Sequence, residues 1–145
     1  MPAVTVWCEG SHFALPNDVA KPTTIIGGDG NDRISGNKGD NSVEGQDGND
    51  SVLTFGGNDF ISGGAGYDFL TGGGGRYTLH GDNGADFLSV SGGIAGQIEG
   101  GRGDDQITGN GTSELFGNAG GDSFFHRLWG WLRTRQVVMS FMSLE

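Results

Sequence analysis

Large apolar residues recur through the middle of the chain at intervals of nine. Ile34, Val43, Val52, Ile61, Leu70, Leu79 and Leu88 follow one another without a slip. Val90 then adds one residue, after which Ile98 and Ile107 keep the period. The segment Gly109 to Phe116 is one residue short, and Leu115 and Phe124 complete the series. A period of nine matches neither the 3.6 of a helix nor the sustained alternation of a long strand. Around each apolar residue there is room for one very short strand whose middle side chain points inward. The rest of each unit is a glycine-rich turn, and those glycines disfavour a helix by about 1 kcal/mol each relative to alanine. So short a strand cannot stand alone and needs a like neighbour stacked on it. Two turn-strand units close one coil, so like positions recur every 18 residues. The expected fold is all-β: a parallel β-roll, or β-solenoid, of two thin sheets with the apolar thread between them.

Three regions follow. Residues 1–26 precede the repeats: Val4-Thr5-Val6-Trp7 alternates like a strand, Pro16 and Pro22 bracket a loop, and Thr23 to Ile26 leads into the first turn. This region reads either as a cap on the open end of the roll or as a boundary without structural purpose. Residues 27–125 are the repeat array. Residues 126–145 break with everything before them: Leu128, Trp131, Leu132, Val138, Met139 and Met142 approximate a helical face, which Gly130 and Arg135 spoil. This tail reads as a cap, as a degraded secretion signal or as sequence unrelated to the array. An exposed array end with Trp129 and Trp131 would favour self-association.

Composition sharpens the picture. The 145 residues include 31 glycines, all but Gly10 and Gly130 lying between Gly27 and Gly121. Apolar residues make up only 34%, and the net charge is −10, a combination that without periodicity would predict disorder. The charge is uneven, with 17 acids against 5 bases up to residue 125 and three arginines against Glu145 beyond it. An acidic body repels phosphates, which argues against nucleic acid and for a cationic partner. Cys8 is the single cysteine, so no intrachain disulfide forms. The N-terminus lacks the basic and apolar regions of a Sec-type signal, and no stretch is long enough to span a membrane. Catalysis has little support: His12, His80 and His126 are scattered, and neither a zinc-binding H-E-x-x-H helix nor a G-x-S-x-G nucleophile turn occurs.

The candidate chemistry lies in the turns. GGDGNDRIS (Gly27 to Ser35), GQDGNDSVL (Gly45 to Leu53), GGAGYDFLT (Gly63 to Thr71) and GGRGDDQIT (Gly100 to Thr108) are one phrase with small edits. Sorting the units into odd and even members separates the two edges of the roll. At position 6 the odd edge reads Asp32, Asp50, Asp68, Asp86, Asp105 and Asp122, a complete ladder. The even edge reads Asn41, Asp59, Tyr77 and Gly96, then Ser113 or Glu114, a broken one. Stacked strands lie about 4.8 Å apart. Calcium takes oxygens at about 2.3–2.6 Å, so one ion fits between carboxylates so spaced, and carbonyls of the glycine turns can complete its shell. Hard oxygen donors do not suit zinc or copper.

The pattern G-G-x-G-x-D-x-U-x, with U a large apolar residue, resembles the RTX (repeats-in-toxin) family over residues 27–125. The resemblance implies calcium between the turns of successive coils, held by position-6 aspartates and backbone oxygens. The six odd-edge aspartates are then the expected ligands, with up to five ions between them, and Asp59 with Asn41 forms one weaker even-edge site. Val90 weakens the expectation for the Asp86–Asp105 pair. The resemblance also implies a secreted protein, exported by a type I secretion system and folded by Ca2+ outside the cell, with affinities of roughly 10⁻⁴–10⁻³ M. A second expectation concerns Phe69, Phe87 and Phe60 at the outward position 7, an aromatic strip that either stacks on glycans or shields the sheet as cross-strand pairs.

Overall fold

A computed structural model describes residues 4–7, 12–16, 20–110, 112–127 and 139–140. Every element among them is a strand, and every pairing is parallel. One sheet runs β1 (Val4–Trp7), β3 (Thr23–Ile26), β5 (Asn41–Asp47), β7 (Asn58–Ala65), β9 (Arg76–Asn83), β11 (Ala95–Arg102), β13 (Ser113–Ala119) and β15 (Met139–Ser140). The other runs β2 (His12–Ala14), β4 (Arg33–Ser35), β6 (Ser51–Leu53), β8 (Phe69–Gly72), β10 (Phe87–Val90), β12 (Gln106–Asn110) and β14 (Ser123–Arg127). Successive strands alternate between the sheets, which makes the chain a β-solenoid of about six turns. Odd turns join the first sheet to the second, and even turns lead back.

The register places like on like. Val43 pairs with Ile61 and Ile61 with Leu79 in one sheet, while Val52 pairs with Leu70 and Leu70 with Leu88 in the other. These residues, with Ile34, Ile98, Ile107 and Leu115, are 0–2% exposed and form the thread between the sheets. Burying such a side chain contributes roughly 1.5–3 kcal/mol, and this single file is the main apolar stabilisation the roll has. Phe124 packs against its end. The thread also reaches further back than the motif does. Ile25, nine residues before Ile34, is fully buried, and Val6 and Phe13 pack against the core from β1 and β2. Thus Thr23–Ile26 is a rung of the sheet, and β1 and β2 stack on β3 and β4 as one more coil with no nonapeptide motif of its own.

The helical face read in the tail lies outside the described residues except at Met139. There Met139–Ser140 is a strand paired with Leu115 and Phe116 of β13, so Met139 does not belong to a helix.

Both irregularities of length fall on the even edge. The extra residue is taken up between β10 and β11, where Val90 joins the core at 4% exposure and Ile94 loops out at 75%. The shortened unit is the even turn between β12 and β13. The odd edge absorbs neither.

Candidate metal centre

On the odd edge the position-6 aspartates form one continuous tape. The backbone N–H of Asp32 donates to Asp50 Oδ1 at 2.8 Å, that of Asp50 to Asp68 at 2.8 Å, and that of Asp68 to Asp86 at 2.8 Å. The tape continues from Asp86 to Asp105 at 2.9 Å and from Asp105 to Asp122 at 3.0 Å. The inserted residue therefore leaves the Asp86–Asp105 link like the others, because the even turn takes it up. Asp32, Asp50, Asp68, Asp86 and Asp105 are each 2% exposed.

The second carboxylate oxygen tells more. Oδ2 of Asp50, Asp68, Asp86 and Asp105 is buried and accepts no hydrogen bond. A buried acceptor left unpaired costs about 1–3 kcal/mol, and more when charged, so a row of them calls for an explanation. Each Oδ2 points at the bare Cα of the glycine that opens its own turn. A β-carbon on Gly45, Gly63, Gly81 or Gly100 would collide with Oδ2 of Asp50, Asp68, Asp86 or Asp105. At Gly45, Gly63 and Gly81 that same β-carbon would also run into the carbonyl oxygen of the next coil's opening glycine. Carboxylate and carbonyl oxygens thus converge on one small space per coil. Position 1 is glycine for this reason and not for its φ, since the positive φ values fall at positions 2 and 4. Position 4 is glycine throughout the odd edge (Gly30, Gly48, Gly66, Gly84, Gly103, Gly120), whereas position 2 tolerates Gln46, Asp82 and Asn118 at φ 85, 73 and 72°.

Burial is the largest influence on these acids. It pushes Asp68 up to about 6, Asp86 to about 7 and Asp105 to about 6, and raises Asp50 and Asp59 as well. Neighbouring carboxylates add to the rise on the odd edge, against the lowering effect of the backbone N–H each accepts. Two ionised neighbours about 4.8 Å apart repel by roughly 3.5 kcal/mol at an effective dielectric of 20. All the donors are hard oxygens, the set that suits calcium. Among the described residues no three His, Cys, Asp or Glu side chains meet at one point. The carboxylates form a line and not a cage, so backbone carbonyls must supply much of any ion's shell.

The even edge is built otherwise. Asn41 and Asp59 do come together, and Asp59 Oδ2 is buried and unpaired like its odd-edge counterparts, but the Asn41 amide bonds across to Asp59 Oδ1. Its Nδ2 donates to Asp59 Oδ1 at 3.1 Å and to Gly39 O at 2.5 Å, and its backbone N–H donates to Asp59 Oδ1 at 3.0 Å. Further along, Tyr77 is 3% exposed, and its ring lies where a β-carbon on Gly96 would stand. Its hydroxyl reaches past Gly96 to Ser113 Oγ at 2.5 Å and donates to Asn110 Oδ1 at 2.9 Å. The position-6 partner of Gly96 is Ser113, not Glu114. Sequence reasoning saw Tyr77 and Gly96 as gaps. The signal it passed over was that a large residue, a glycine and a hydroxyl stand at successive like positions.

Outside the turns, Phe69 and Phe87 stack at 4.6 Å with 3° between their planes. They cover one face of each other, as a cross-strand pair does. Phe60 tilts against His80, whose Nδ1 lies 3.8 Å from Glu99.

A parallel β-solenoid carrying a buried file of aspartates on one edge defines a class of repeat module. Residues 23–52 and 53–88 match the family model of the RTX calcium-binding nonapeptide repeat, in four copies. Residues 23–88 are thus similar to the repeats of that family, and calcium binding is what the likeness suggests for them. No curated protein and no solved structure matches the chain. The family match begins at residue 23, as the buried thread does. The aspartate tape continues past residue 88 through Asp105 and Asp122 with unchanged geometry.

Proposed function

We propose that this chain is a calcium-folded β-roll module, non-catalytic in itself, secreted by a type I system and ordered by Ca2+ on reaching a calcium-rich medium. The observation that supports it is the odd-edge tape: five consecutive links of 2.8–3.0 Å survive an insertion and a deletion. Along it, Oδ2 of Asp50, Asp68, Asp86 and Asp105 is buried and unpaired. Asp32, Asp50, Asp68, Asp86, Asp105 and Asp122 would hold up to five ions in the intervals between coils, together with the opening glycine carbonyls. Calcium supplies positive charge there, which turns a line of repelling carboxylates into a source of cohesion between coils.

The chain's own residues do the rest. The opening glycines leave space beside each carboxylate, the backbone N–H tape fixes one oxygen of each aspartate, and the apolar thread sets the spacing. Without cations the ladder opposes stacking; with them, binding free energy becomes folding free energy. Asp59 with Asn41 forms at most a weaker site, since an amide already donates to that carboxylate.

A far-UV circular dichroism titration tests this, with magnesium as the control. A cooperative gain of β signal on adding calcium alone supports the reading. Full β signal in chelator would make calcium an accessory and the roll a static scaffold.

A further inference from the structure

A second tape runs along the odd edge at position 5, outside the aspartates and opposite in direction. Asn31 Oδ1 accepts the backbone N–H of Asn49 at 2.7 Å, and Asn49 Oδ1 accepts that of Tyr67 at 2.8 Å. At the far end Asp104 Oδ1 accepts the N–H of Gly121 at 2.7 Å. Between them the tape has a gap two rungs wide. Tyr67 and Ala85 carry no side-chain carbonyl, and among the described residues no acceptor meets the N–H of Ala85 or of Asp104.

The gap is also a place. An open groove of about 510 Å³ lies over it, walled by Tyr67 on one side and by Arg102 and Asp104 on the other, with Asn83 beside them. Ala85 and the bare backbone of Gly84 form its floor. Tyr67 is 68% exposed, and a turn position gives it no core to serve. Arg102 has no carboxylate within ion-pair distance among the described residues.

We propose that this groove binds a neutral saccharide unit. The aromatic face offers a stacking platform for a sugar ring. Two unpaired backbone N–H groups and the Arg102 guanidinium donate, the Asp104 carboxylate accepts, and the Asn83 amide does both. Such a mixture suits vicinal hydroxyls, each of which is donor and acceptor at once. An anionic ligand would meet Asp104 and a chain of net charge −10. A cationic one would meet Arg102 and two N–H dipoles. The inference goes beyond calcium binding and places recognition away from Phe69 and Phe87, whose facing sides are closed by their own stacking.

The calcium-saturated chain, run in native gels containing dextran or galactomannan, tests the proposal, with alginate as the anionic comparison. Retardation by a neutral polymer is expected. It should fall by about tenfold in apparent affinity, 1.4 kcal/mol, in Tyr67→Ala and in Ala85→Asn. The second variant supplies the missing rung, since its amide oxygen can take the Asp104 N–H as Asn31 and Asn49 do for theirs. Circular dichroism of each variant with calcium should match the parent, which separates loss of the groove from loss of the roll. Absence of retardation by either neutral polymer overturns the proposal. So does retardation by alginate alone, and so does an Ala85→Asn protein retarded like the parent.

Discussion

Tyr77 and Gly96 stand at successive like positions of the even edge, and the ring of the first occupies the space that a side chain on the second would need. The tyrosine thus bridges three coils, from β9 over β11 to Ser113 on β13. It does there by packing and hydrogen bonding what a cation would do on the opposite edge. Tyr77→Phe keeps the packing and removes the hydroxyl's bonds to Asn110 and Ser113, which still bond each other, a loss of about 1 kcal/mol. Thermal melts of the calcium-saturated protein should show this, while calorimetry finds the same calcium affinity and stoichiometry as in the parent. A drop in stoichiometry would mean that Tyr77 stands at an ion site after all.

The two edges should differ in what calcium does for them. Asp68→Ala removes one carboxylate from the middle of the complete tape and frees the N–H of Asp50. Asp59→Ala removes a carboxylate that an asparagine amide already serves. The calcium midpoint of folding should rise about tenfold or more for the first, and by less than about threefold for the second, with 1.4 kcal/mol per tenfold. Equal shifts would overturn the assignment of the odd edge as the metal-binding one.

The architecture was legible because a period of nine carries both the strand and the turn. Isoleucine, leucine and valine at that interval have one way to be buried together, and the stacking of Val43 on Ile61 and of Val52 on Leu70 follows. The odd-edge aspartates were legible because each is one residue type at one place in the unit. Ile25 was missed because the glycine motif starts after it, although subtraction of nine from Ile34 finds it. What could not be read was which edge absorbs an insertion. Val90 adds a residue to the count between Asp86 and Asp105, and only the coil geometry shows that the even turn takes it up. The role of the opening glycines was hidden too. A sequence displays a glycine without saying whether φ or a neighbour demands it, and here an aspartate of the same turn does.

Glycine substitutions separate these causes. Gly63→Ala, at an opening position, sets a methyl group against Asp68 Oδ2 and the backbone oxygen of Gly81. Neither atom can yield without breaking the tape or the coil spacing. Calcium-dependent folding should be lost or its midpoint raised beyond about tenfold, equivalent to more than 1.4 kcal/mol. Gly56→Ala, on the even edge, meets nothing closer than 3.6 Å and sits outside the positive-φ set. Its effect should stay within about 0.5 kcal/mol. Chemical denaturation in saturating calcium compares the two, and a tolerated Gly63→Ala would sink the proposed role of that space.

The aspartate tape also predicts opposite responses to pH with and without calcium. In the folded roll burial holds Asp68 at about 6, Asp86 at about 7 and Asp105 at about 6, whereas an unfolded aspartate titrates near 3.9. Between those values the folded state binds more protons than the unfolded one, so stability falls as pH rises. The contribution is fully present below about pH 4 and is lost as pH climbs through 6 to 7. In chelator, therefore, β structure should be more stable at pH 5 than at pH 8. Calcium needs the ionised carboxylates, so the calcium midpoint of folding should fall over the same rise in pH. Thermal melts by circular dichroism at pH 5 and 8, in chelator and in saturating calcium, read both arms. A metal-free roll that gains stability between pH 5 and 8 would mean that the carboxylates are not buried against one another as the tape requires.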